Sequence, residues 1–146
     1  MTGVCSGRNV DLVKSLGADA VIDYTQEDFT NNGKTYDLIL DAVAATTFAR
    51  CKNSLKPKGV FLPCIMSLTD MLFRIPWTSA TGGKKLKGGV AIESQERMNL
   101  IKELAEAGKL KPVVDRSYPL EQIAEAFKYV ERGHKRGNVV ITVQHP

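Results

Sequence analysis

The chain opens on a short apolar run, Thr2 to Cys5, and closes on another, Asn138 to Val143. Between them the spacing of apolar positions changes character several times. After a tight polar loop at Ser6, Gly7 and Arg8, the residues Val10, Leu12, Val13 and Leu16 recur at helical spacing, and Gly17 stops them. Ala20 to Asp23 is strand-like again. Strand, loop, helix, turn and strand in that order form the unit from which parallel sheets are built. Thr25 to Thr35 is polar and holds Asn31, Asn32 and Gly33, which fits a loop or a ragged helix. Tyr36 to Asp41 is almost continuously apolar, as expected of a strand buried on both faces.

Further on, Thr46 or Thr47 is placed to cap a helix with Phe48, Cys51 and Leu55 on one side, and Pro57 forbids its continuation. Gly59 to Pro63 predicts a fourth strand. Ile65 to Trp77 is apolar without a clean period; the stretch from Met66 to Trp77 suits a pocket lining, a partner surface or a helical core, and Phe73 and Trp77, four apart, fit helical packing. Thr78 to Gly89 reads as a loop rich in Gly, Thr and Lys, and Gly89 to Ile92 as a short strand. Ser94 caps a helix carrying Met98, Ile101 and Ala105, which ends at Gly108. Val113 and Val114 form a short extended piece. Pro119 opens a last helix with Leu120, Ile123, Phe127 and Val130 on one face, and Gly133 ends it. No internal repeat and no linker divides the chain, so the expectation is one α/β domain over residues 1–146.

Composition narrows the function. With 146 residues and 43% of them hydrophobic, there is chain enough for one packed core. The net charge of +4 suits a phosphate-bearing ligand, yet it is also common among proteins that bind nothing acidic, and no nucleic-acid partner is expected from it. The cysteines Cys5, Cys51 and Cys64 are odd in number and form no CxxC, which argues against a disulfide framework and a structural zinc site. His134 and His145 have no metal-ligand spacing with each other or with a cysteine. No apolar run is long enough to span a bilayer, and the first residues lack a signal-peptide pattern. The expected compartment is the cytoplasm, with an organelle stroma or matrix as the alternative.

Five stretches taken in order carry a resemblance: residues 4–25 (VCSGRNVDLVKSLGADAVIDYT), 36–43 (YDLILDAV), 55–62 (LKPKGVFL), 108–127 (GKLKPVVDRSYPLEQIAEAF) and 130–143 (VERGHKRGNVVITV). Together they resemble the medium-chain dehydrogenase/reductase family, nearest its zinc-independent quinone reductase branch. The resemblance implies a Rossmann-like three-layer sandwich with a mainly parallel sheet that lacks the family's first strand and its Gly-rich pyrophosphate loop. No GxGxxG occurs in the chain, and Gly82, Gly83 and Lys84 are no substitute. It also implies that residues 1–109 are the nucleotide-binding core and 110–146 a segment returning to a catalytic domain. The absent strand is central in the family, so its two neighbours must pair with each other or with another chain. The family's edge strand, matched by Gly89 to Ile92, implies a homodimer. By itself the 146-residue chain is expected not to reduce quinones.

The resemblance also assigns chemistry, as hydride transfer from NADPH to a quinone or an activated alkene, with no catalytic acid, base or metal ligand in this part. In Rossmann folds an acidic residue after the second family strand bonds the adenosine ribose and selects NAD. Here that loop holds Ser6 and Arg8 and no carboxylate, which implies NADP(H). Tyr24 matches a family tyrosine beside the 2′-phosphate. Val43 ends the strand from Tyr36, where Ala44 and Ala45 replace the family's usual glycine; Asp41 there serves equally as a cap for the next helix. Asn138 matches a position near the pyrophosphate or nicotinamide. The rival expectations are a non-catalytic nucleotide-binding or interaction module and a methyltransferase-like sheet, which the C-terminal stretches disfavour.

Overall fold

A computed structural model of the chain describes residues 1–89 and 94–143. It divides into two compact units, Met1–Ile92 and Glu93–Pro146. In the first, strand β1 (Thr2–Cys5) leads through a 3-10 turn (Gly7–Asn9) into helix α1 (Val10–Ser15) and strand β2 (Ala20–Asp23). β1 and β2 pair in parallel from Thr2↔Ala20 to Cys5↔Asp23. A β-carbon at Gly3 would overlap Val13 Cγ1, so glycine lets α1 lie close on β1. Ile22 is the buried side chain of this half.

Strand β3 (Tyr36–Asp41), helix α2 (Phe48–Cys51), strand β4 (Leu55–Pro63), helix α3 (Ile75–Ala80) and strand β5 (Lys85–Leu86) follow. They form a parallel sheet in the order β3-β4-β5. Thr47 caps α2 by accepting the Arg50 N–H at 3.3 Å. The helix is a single turn, because Leu55 is already in β4. Pro57 does not end β4: the ladder jumps from Tyr36↔Leu55 to Leu38↔Val60, and Pro57 and Lys58 lie in that irregularity, Lys58 with φ 65°. The core of the unit is Cys51, Leu55, Phe61 and Leu86, with Phe29, Ile39, Phe48 and Ile75 against it. Fully burying a side chain of this size contributes roughly 1.5–3 kcal/mol.

Two expectations change here. β3 is an edge strand and is not covered on both faces, since Leu38 and Leu40 are 55% and 59% exposed. The polar stretch after Trp77 contains a strand, β5, held by the Leu86 N–H donating to Thr78 Oγ1 at 3.2 Å. The aperiodic stretch before it is a π-helix at Asp70–Arg74 running into α3, whose i→i+5 winding obscures a 3.6-residue period. No ladder joins β1 to β3 among the described residues. The short strand expected at Gly89 to Ile92 lies outside them, apart from Gly89.

In the second unit, Ser94 caps helix α4 (Gln95–Glu106) by accepting the Arg97 N–H. Strand β6 (Val114–Pro119), helix α5 (Ile123–Glu131) and strand β7 (Asn138–Thr142) make a parallel strand-helix-strand unit. Pro119 ends β6 instead of opening the helix, which a 3-10 turn at Leu120–Gln122 precedes. The Tyr129 hydroxyl at 2.6 Å and the Arg136 N–H at 2.9 Å donate to Asp115 Oδ2 and hold its carboxyl below the usual range. No described helix is long and apolar enough to cross a membrane.

Candidate functional site

Parallel pairing of β1 with β2 brings their carboxyl ends side by side, and ligands in open α/β sheets lie at that edge. The register ends at Cys5↔Asp23, and the Tyr24 N–H donates to Cys5 O at 3.0 Å. The loop at Ser6, Gly7, Arg8 and Asn9 therefore adjoins Tyr24. Ser6 is extended, with φ −74° and ψ 154°, and its carbonyl accepts the Asn9 N–H at 2.8 Å. Its hydroxyl oxygen accepts from Asn9 Nδ2 at 3.3 Å, which leaves the hydroxyl hydrogen free to donate. Asn9 Oδ1 is buried without a hydrogen-bond partner among the described residues. Arg8 is exposed and has no ion pair among them. Tyr24 is 62% exposed. One corner thus offers a hydroxyl donor, an unpaired guanidinium and a phenol, which suits a phosphate monoester on a sugar.

The fold adds a carboxylate. Asp23 Oδ1 accepts from the Thr25 N–H at 3.0 Å and from Thr25 Oγ1 at 2.8 Å. A β-carbon at Gly7 would sit 2.6 Å from Asp23 Oδ2, so this carboxylate packs directly on the loop backbone. Burial, and then the Asp23 charge, push the Cys5 thiol up from its ordinary value. The sequence signal was the spacing Asp-x-Thr, which favours a side-chain-closed turn. The spacing says nothing of which loop the second oxygen faces.

Val43 follows β3, in the other sheet of the same unit. Asp41, 5% exposed, accepts from the N–H groups of Val43 at 3.2 Å, Ala45 at 3.1 Å and Thr46 at 3.0 Å. It caps this loop, and the Val43 N–H is engaged while its side chain is 75% exposed. Ala44 takes φ 55°, a left-handed value that suits glycine better. Asn138 opens β7 in the second unit, where its backbone N–H and its Nδ2 both donate to Val113 O, at 2.7 and 3.2 Å. Ser6, Arg8 and Tyr24 thus share one corner, while Val43 and Asn138 each stand on another loop or strand.

The model of the zinc-binding dehydrogenase family matches residues 16–141. The chain belongs to that family. Among curated members it is 34% identical to the mitochondrial NAD(P)H oxidoreductase RTN4IP1 of Mus musculus, over 98% of this chain and 41% of that one. It is 32% identical to the chloroplastic NADPH-dependent alkenal/one oxidoreductase of Arabidopsis thaliana, over 97% and 33%. The chain therefore spans less than half the length of these zinc-binding dehydrogenase relatives. The quinone oxidoreductase from Coxiella burnetii superposes with a TM-score of 0.77 at 24% identity, over 98% of this chain and 44% of that one, which shows the Rossmann-like fold. No group of three His, Cys, Asp or Glu among the described residues is arranged to hold a metal ion.

Proposed function

We propose that the chain is the cofactor-binding part of an oxidoreductase that moves hydride from NADPH to a quinone or an activated alkene. The observation that carries the reading is the corner of Ser6, Arg8 and Tyr24 at the carboxyl ends of β1 and β2. Ser6 donates from its hydroxyl and Arg8 from its guanidinium to the 2′-phosphate, and Tyr24 lies beside the same group. The nicotinamide supplies the hydride when bound; these residues orient the far end of the cofactor. In the same reading Val43 lines the cofactor and Asn138 lies near its pyrophosphate or nicotinamide. Residues 1–109 are then the nucleotide-binding core and 110–146 the segment that returns to a catalytic domain. The acceptor class is supported by relatives named for quinones and for alkenals. A homodimer through the strand expected at Gly89 to Ile92 belongs to the same proposal. Relatives named mitochondrial or chloroplastic support an organelle matrix or stroma for the whole protein.

Equilibrium titration with NADPH and NADH, followed by nicotinamide fluorescence, tests the reading. Charge-assisted bonds to a phosphate contribute about 1.5–3 kcal/mol, so Arg8→Ala should weaken NADPH binding about tenfold or more and leave NADH nearly unchanged. Equal losses for the two cofactors, or no binding of either, overturn it. A non-catalytic nucleotide-binding module would pass this titration and show no quinone reduction in the whole protein.

A further inference from the structure

Two Asp-x-Thr turns stand five residues apart in the chain. In each, the aspartate Oδ1 accepts from both the N–H and the Oγ1 of the threonine two residues on. They part at the second oxygen. Asp28 Oδ2 accepts from Arg50 Nη2 at 2.8 Å and from Asn31 Nδ2 at 3.0 Å. Asp23 Oδ2 takes no hydrogen bond among the described residues and faces Gly7, between Ser6 and Arg8. Its carboxylate cannot swing away without breaking both bonds to Thr25, and any side chain at position 7 would displace it. A fixed carboxylate with one open oxygen, beside a loop with an unpaired arginine, is a pair of opposite charges that do not neutralise each other.

We propose that Asp23 is a cofactor-selecting residue, whose open Oδ2 accepts a hydrogen bond from an unphosphorylated adenosine ribose and repels a 2′-phosphate. The inference rests on the reading that Ser6 and Arg8 hold that ribose. A ribose hydroxyl can donate to the carboxylate, whereas the phosphate that replaces it in NADPH is an acceptor with negative charge. Arg8 and Asp23 therefore act in opposite senses, and the chain binds both NADPH and NADH with a narrower preference than Arg8 alone would set. No carboxylate appears in the loop sequence because this one arrives across the ladder, from the end of β2.

The test is direct binding of NADPH and NADH to the whole chain, wild type and Asp23→Asn. Asparagine keeps an Oδ1 acceptor for Thr25 and removes the charge. The expected result is a shift of the NADPH to NADH affinity ratio toward NADPH of about tenfold, the size of one partly screened charge interaction. Both affinities moving by the same factor would show that Asp23 only props the loop, and no movement would show that it does not reach the ribose; either overturns the inference while leaving the Arg8 result standing. If Asp23→Asn does not fold, Gly7→Ala pushes the carboxylate off the loop and should move the ratio the same way; an unmoved ratio there is equally fatal. A wild type that binds neither cofactor sinks the underlying reading and the inference with it.

Discussion

Asp23-Tyr24-Thr25 and Asp28-Phe29-Thr30 are the same turn with the same internal bonds, and they do different things. At Asp28 the second oxygen is held by Arg50 from α2, and the guanidinium with the threonine bonds brings its carboxyl down to about 2. That turn ties the loop before β3 to helix α2. At Asp23 the second oxygen is open toward Gly7 at the carboxyl edge of β1 and β2. Asp41 is the limiting case of the first kind, with three backbone N–H groups on its carboxylate and almost no exposure. The lesson is that the count of donors around a strand-end carboxylate separates those that build the fold from one left free to meet a ligand.

The contrast breaks most visibly at Asp41. Asp41→Ala leaves three N–H groups without their acceptor and should destabilise the first unit by about 3 kcal/mol in urea unfolding. A cost for Asp23→Ala as large as that for Asp41→Ala would erase the distinction. A smaller effect of opposite sign is expected beside it. Ala44 sits at φ 55°, where a β-carbon is strained, so Ala44→Gly should stabilise by roughly 0.5–1 kcal/mol. A loss of stability there would mean that Asp41, not glycine's freedom, sets the loop's conformation.

Acid sharpens the Asp23 and Asp28 comparison. A carboxyl lowered to about 2 in the fold, against about 3.9 when unfolded, contributes stability that is present above pH about 4. That contribution is lost as pH falls through about 2. Arg50→Ala should therefore lower the urea midpoint at pH 6 and lose most of its difference from wild type near pH 2. A difference that persists undiminished at pH 2 would show that Arg50 acts through packing alone.

Much of this architecture was readable in advance. β1, β2 and β3 begin and end where short apolar runs meet turn residues, and Ser94 caps α4 at its predicted place. The failures share a cause. Gly59 to Pro63 marks only the second part of β4, because residues 55–58 join the strand across a bulge that β3 accommodates; Lys85 and Leu86 are too few to show a period, yet β4 pairs with them. Both are decided by a partner strand distant in sequence. The candidate site divides the same way. Ser6 and Arg8 stand two apart in one loop and are visible there as a loop without acid, whereas Asp23 reaches that loop only through the register Cys5↔Asp23.

The measurement that bears most directly on this account is the NADPH to NADH affinity ratio across wild type, Arg8→Ala, Asp23→Asn and the double variant. The ratio should fall about tenfold or more in Arg8→Ala, rise about tenfold in Asp23→Asn, and return close to wild type in the double variant. A ratio that moves in the same direction in both single variants, or in neither, would contradict it.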